Sequence, residues 1–185
     1  MKAWAAVCLL LLAACADTRT DCAQLPGGLR YCLQPHAGPA FAADQALTIR
    51  YREQTMTMLW RMRADAGGLH CAGLSPLGQT LIRLDWVDGV LSAAMPPELQ
   101  RRLAPALLPA LIQIALWPPD AVRAGLSAPG RLDSDGKRRV LGDGERELLV
   151  VVWSGDAPPY DSLSIEAPAA GLSLEARTLT EESQP

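Results

Sequence analysis

Thr55-Met56-Thr57-Met58-Leu59-Trp60-Arg61-Met62-Arg63, residues 55–63, changes character at every step. In an extended chain Met56, Met58, Trp60 and Met62 share one face, and Thr55, Thr57, Leu59, Arg61 and Arg63 share the other. One wholly apolar face at period two predicts a half-buried strand, and hence an antiparallel sheet with one wet side. Neighbouring segments extend the pattern. Ala46 to Tyr51 precedes it, Leu69 to Ser75 follows, and Gln79 to Trp86 places Thr80, Ile82, Leu84 and Trp86 on one face. Asp88-Gly89 then supplies a tight turn into Val90 to Ala94, the signature of a hairpin.

The period changes at Met95. Pro96-Pro97-Glu98 suits a first helical turn, because proline is tolerated there and an acidic residue complements the dipole. Leu103 to Pro119 is 17 residues without a formal charge. Leu107, Leu108, Leu111, Ile112, Ala115 and Leu116 form two adjacent columns at helical spacing, with Ala106, Ala110 and Gln113 opposite, which predicts a core helix. Its length, with Pro105 and Pro109, argues against a membrane span. Pro118-Pro119 ends the helix, and Asp120 to Leu126 adds a turn or two. Strands resume at Arg131 to Asp133, Lys137 to Leu141 and Glu145 to Ser154, with Asp135-Gly136 and Asp143-Gly144 as turns. The run Leu148 to Trp153 suggests a strand covered on both faces. Tyr160 to Glu166 and Leu172 to Leu179 follow, and Thr180 to Pro185 is a polar tail. Roughly ten short strands in two blocks around one helical insert make an antiparallel α+β design.

The N-terminus carries an address. Met1-Lys2 is positive, Ala3 to Leu12 is a ten-residue apolar run, and Leu12-Ala13-Ala14 precedes Cys15. That is an export signal too short to span a bilayer. Leu-Ala-Ala-Cys resembles the lipobox of bacterial lipoproteins, which implies a signal peptide over 1–14 and an acylated Cys15. Ala16 follows that cysteine, where an aspartate is the usual inner-membrane retention signal, so the resemblance points to the outer membrane with the domain facing the periplasm. Several acyl chains on one cysteine anchor firmly, at about 0.8 kcal/mol per buried methylene.

Cys8 leaves with the signal and Cys15 carries lipid, which leaves Cys22, Cys32 and Cys71. An oxidising compartment permits disulfides. Cys22 and Cys32 bracket Pro26-Gly27-Gly28 and favour a short bridge over pairing with Cys71, which then reads as a buried apolar thiol. Residues 15–40 read as a lipidated tether stapled by that bridge, and residues 41–179 as the folded domain.

Composition narrows the chemistry. The chain has 185 residues, a net charge of −3, 49% hydrophobic residues and two histidines, His36 and His70. No basic stripe exists to neutralise phosphates, which argues against nucleic acid. No cysteine or histidine spacing suits a metal, and no cofactor is implied. Gly73-Leu74-Ser75-Pro76-Leu77-Gly78 misses the G-x-S-x-G spacing by one residue. His70 beside Cys71 points to the opposite face of a strand. A hydrolase or acyl transferase is the weakest reading.

The stretch 73–78, the strand to Trp86, and above all Ala110-Leu111-Ile112-Gln113-Ile114-Ala115-Leu116-Trp117-Pro118 resemble the bacterial lipoprotein family known as domain of unknown function 3261. The resemblance runs from about Ala46 to Leu174. It implies a fold like that of the periplasmic carrier and outer-membrane receptor of the Lol system: an unclosed antiparallel β half-barrel whose concave face is covered by helices and receives acyl chains. Family members are often encoded beside aryl polyene biosynthesis, which suggests an apolar cargo. The candidate cavity lining is Met56, Met58, Trp60, Met62, Trp86, Leu108, Leu111, Ile112 and Leu116, with methionines able to repack around varied chains. The expected function is a non-catalytic, monomeric outer-membrane lipoprotein. Its expected partners are membrane lipid, through Cys15, and a hydrophobic small molecule or a lipoprotein acyl chain. The alternative is an interaction lipoprotein with a filled core that grips a partner through Trp117 or the Tyr160 loop.

Overall fold

The computed structural model describes residues 21–35, 38–101 and 103–179. Two short strands come first, β1 (Cys22–Gln24) and β2 (Arg30–Cys32), paired as a hairpin around a 3-10 turn at Pro26–Gly28. Five strands follow: β3 (Phe41–Tyr51), β4 (Gln54–Asp65), β5 (Gly68–Leu74), β6 (Thr80–Val87) and β7 (Val90–Ala94). The insert comprises α1 (Pro97–Gln100), α2 (Leu107–Leu116) and α3 (Pro119–Gly125). The chain then returns as β8 (Arg131–Asp135), β9 (Arg138–Gly142), β10 (Glu147–Ser154), β11 (Ser162–Ala167) and β12 (Leu172–Thr178).

Ten of these strands form one antiparallel sheet in the order β7-β6-β5-β4-β3-β12-β11-β10-β9-β8. The last strand closes on the first through the β12–β3 pair, so each block of consecutive hairpins extends to one free edge. The result is an unclosed α+β half-barrel. Its inner face is built in rows set by register: Val151, Ile165, Leu174, Ile49 and Met56 stand side by side, and Trp153, Leu163, Ala176, Leu47 and Met58 form the next row. The alternation in residues 55–63 is realised, since Met58, Trp60 and Met62 are buried while Arg61 and Arg63 are exposed. Gly73 faces Trp60 across the β4–β5 ladder. A Cβ there would lie 2.5 Å from Met58 Sδ, so only glycine lets these large side chains fill the sheet face.

The outer face is wet and laced with ion pairs, among them Arg61 with Asp44 at 2.6 Å and Arg50 with Glu175 at 2.6 Å. Each such exposed pair contributes only up to about 1 kcal/mol. At the β9–β10 turn the Arg146 side chain, with the Arg146 and Glu145 backbone N–H groups, pulls the Asp143 pKa down to about 2. A carboxyl depressed in the folded state stabilises above its unfolded pKa, near 3.9, and that contribution fades as pH falls toward 2. An NMR titration is therefore expected to place the Asp143 midpoint near 2. Arg146→Ala is expected to move it toward about 3.9, and an unshifted wild-type midpoint would refute the assignment.

Several expectations need correction. Residues 21–35 are not a tether. Ala23, Leu25, Leu29, Tyr31 and Leu33 are buried, and the hairpin packs on α2, so residues 21–35 belong to the folded unit and it does not start at Phe41. The alternation of Leu29, Tyr31 and Leu33 with Arg30, Cys32 and Gln34 carries this, because the hairpin needs one apolar face to cover the helix. The α2 helix spans the two columns read from Leu107 to Leu116, and its opposite side, Ala106, Ala110 and Gln113, is buried as well. The Leu148 to Trp153 run is not covered on both faces, since Val152 is 43% exposed on the outer side. A register shift between Glu147 and Leu149 lets both Leu148 and Leu149 turn inward. Trp117 is only 2% exposed and so does not offer the gripping surface expected of it, and in the Tyr160 loop the tyrosine itself is 8% exposed while Asp156 and Ala157 are exposed.

Candidate functional site

The inner sheet face and α2 enclose a cavity of about 20 Å³. Of the nine candidate lining residues, Trp60, Met62, Leu108, Leu111, Ile112 and Leu116 border it, together with Gln45 and Leu47. A space of that size holds one water at most. The interior is therefore nearly filled by the helix. Met58 does not reach the cavity, because its sulfur packs beside Gly73. Trp86 lies elsewhere, bordering a separate hollow of about 130 Å³ with Pro35, Leu69 and Trp117.

Met56 belongs to a second hollow on the same sheet face. Ile49 and Met56 are register partners at the end of the row that continues into the cavity wall through Leu174 and Ile165. With Tyr51, Gln54, Thr55, Leu99 and Leu103 they line an open groove of about 300 Å³. That volume lies at the lower end of the range for small-molecule sites. Leu99 on α1 and Leu103 after it roof the groove. Sequence periodicity found Met56 but not this roof, because α1 has a single turn and no repeat to detect.

The helix is held over the sheet by a buried polar clamp. Tyr31 Oη–H donates to Gln113 Oε1 at 3.0 Å, and the Gln34 backbone N–H donates to the same oxygen at 2.8 Å. Gln113 Nε2 donates to the Gln34 carbonyl at 3.1 Å, which also receives the Trp86 indole N–H at 2.9 Å. Burial pushes the Tyr31 pKa up, which keeps the phenol a donor. The clamp joins the N-terminal segment, α2 and β6 through groups that would each be costly to leave unpaired.

A second clamp closes the far end of α2. Arg139 Nη1 donates to the carbonyls of Ile114 at 2.8 Å and Trp117 at 2.7 Å. These are carbonyls at the helix C-terminus, where a cation is favoured. The guanidinium also lies 5.4 Å from the Trp153 ring centroid, and Trp153 stacks on Tyr160 at 5.1 Å. Burial lowers the Arg139 pKa. Arg138-Arg139 looks like an exposed basic pair in sequence, and nothing local marks Arg139 as the inward member.

The other singled-out residues are accounted for in place. Cys22 and Cys32 form a disulfide, and Cys71 is a buried free thiol whose pKa burial raises. His70 Nδ1 pairs with Asp85 at 2.7 Å on the outer face. Ser75 Oγ accepts from the Leu77 and Gln79 backbone N–H groups at 3.3 and 3.1 Å, closing the β5–β6 turn. The structure does not bring His70 and Ser75 together, since five residues of strand separate them by about 16 Å. Among the described residues no group of three His, Cys, Asp or Glu could hold a metal, and no helix is long and apolar enough to cross a membrane. Cys15 and His36 lie outside the described residues.

Residues 42–180 match the family model described as Protein of unknown function (DUF3261), and the chain belongs to that family. No curated protein matches the sequence significantly.

Proposed function

We propose that this member of the DUF3261 family is a lipoprotein anchored through acylated Cys15, facing the periplasm from the outer membrane, that holds one hydrophobic chain without transforming it. The groove of about 300 Å³ at Met56 carries this reading, because it is apolar, open, and continuous with the inner sheet face. A lipid acyl chain or an aryl polyene, as cargo, fits a slot walled by Ile49, Tyr51, Leu99 and Leu103. The likeness to the Lol carrier and receptor noted from sequence agrees with a half-barrel that takes acyl chains. Filling the deeper cavity needs α2 to shift, and Met62 at its wall supplies an adaptable side chain.

Mass spectrometry of lipids that copurify with the Cys15→Ser domain tests the cargo, and a fluorescent fatty acid titrated against the same domain tests the groove. A bound chain and binding at micromolar probe are expected. An empty domain with no binding would favour the second reading, an interaction lipoprotein, which the nearly filled interior of about 20 Å³ supports. The anchor has its own test. Cys15→Ser is expected to move the protein from the membrane to the soluble periplasmic fraction, and unchanged membrane association would sink it.

A further inference from the structure

The geometry points to one face of the domain lying on the lipid surface: the face around Asp21, where the root of the hairpin meets the Asp88-Gly89 turn and residues Ala124–Pro129. This inference rests on the proposed anchor at Cys15.

The root is fixed to the domain by several independent ties. Leu33 N–H donates to the Asp21 carbonyl at 2.8 Å, and the Cys22–Cys32 disulfide closes the strand pair directly beyond it. Arg30 N–H donates to Ser127 Oγ at 3.1 Å, Ser127 N–H donates to the Arg30 carbonyl at 2.9 Å, and Tyr31 bridges to Leu126. Gly125 approaches so closely that a Cβ on it would lie 2.5 Å from the Cys32 carbonyl oxygen. The distance from the proposed anchor at Cys15 to this root is therefore limited by the chain length between Cys15 and Asp21. Six residue steps reach about 20 Å at full extension.

That reach selects a face. Asp21, Arg30, Gly89 and Ala124 border one open hollow, so the root emerges beside the β6–β7 turn and the end of α3. The opposite end of the sheet carries Leu77 in the β5–β6 turn, separated from Gly89 by the eight residues of β6, about 26 Å. A tether of about 20 Å cannot pass around the domain to lay that end on the bilayer. The root face also suits close approach. Ala124-Gly125-Leu126-Ser127-Ala128-Pro129-Gly130 carries no charge, and Val90 beside Gly89 is 66% exposed. That stretch brings no charged side chain to the headgroup layer, so it can approach without stripping water from one, while Asp21, Arg30 and Asp88 on the same face supply charge beside it. The groove at Tyr51 and Met56 belongs to the far end, with Leu77, and so opens away from the membrane. Cargo then arrives from the periplasm rather than from the leaflet beneath.

The test uses the full lipidated chain in vesicles of phosphatidylethanolamine and phosphatidylglycerol that contain a headgroup-bound quencher. A fluorophore is attached at Ala124→Cys or at Leu77→Cys, both exposed positions. The Ala124 label is expected to lose at least threefold more emission than the Leu77 label. Inserting about twenty Gly/Ser residues after Ala16 is expected to erase the difference, because a flexible linker of that length frees the orientation. Equal quenching, or stronger quenching at Leu77, with vesicles that still carry the protein on flotation, would overturn the face while leaving the anchor standing. Failure of the chain to float with vesicles, with Cys15→Ser behaving the same, would overturn the anchor and the face together.

Discussion

Gln113→Leu is expected to lower the unfolding free energy of the domain by about 2–4 kcal/mol. The substitution keeps helix propensity and volume, so the loss comes from what it leaves behind. Tyr31 Oη–H, fully buried, and the Gln34 N–H, half-buried, both donate to Gln113 Oε1. Each buried donor left unpaired costs about 1–3 kcal/mol. The Gln34 carbonyl is spared, since Trp86 still donates to it. Adding Tyr31→Phe to the variant removes one orphan and is expected to restore about 1–2 kcal/mol. Urea unfolding at unchanged m-value measures both. A loss under about 1 kcal/mol, or no recovery in the double variant, would show that the clamp does not fasten the helix to the hairpin.

Gln113 also shows where the sequence stops being legible. Helical periodicity places it opposite the Leu107 to Leu116 columns, and that spacing says nothing of what it would bond to. The structure buries it through partners 79 and 82 residues away. No periodicity encodes such a contact. Strands were legible for the opposite reason. The 55–63 alternation, the Asp88-Gly89 turn and the Asp143-Gly144 turn are local signals, and the sheet obeys them with the expected order of hairpins. The hairpin at residues 22–32 fell between these cases. Its disulfide spacing and the Leu29, Tyr31, Leu33 alternation were visible, but Pro26-Gly27-Gly28 and the adjoining leader resemble a linker. The candidate lining divided along the same line: strand and helix periodicity placed six of nine residues at the cavity. Periodicity could not show that Met58 is spent on packing against Gly73, or that Trp86 is spent on holding Gln34.

That division decides which substitution tests ligand binding. Met58 is 3% exposed, with its sulfur against the Gly73 backbone, so an aspartate there would bury an unpaired carboxylate and unfold the sheet. Loss of binding by such a variant would say nothing about the groove. Met56 is half-buried at the groove wall, and its strand end is open to water. Met56→Asp is therefore expected to fold, because the new carboxylate keeps its hydration in the unliganded protein. A bound acyl chain would strip that hydration, so affinity for a fluorescent fatty acid is expected to fall by at least about tenfold, a difference of about 1.4 kcal/mol. Thr57→Asp provides the matched control. It adds the same charge one residue along the strand on the exposed outer face, and is expected to leave binding unchanged. If both variants lose binding alike, the effect is a general charge effect and the chain does not bind at Met56. If Met56→Asp binds as the wild type does, the site lies elsewhere on the inner face, and the cavity under α2 must open to admit the chain.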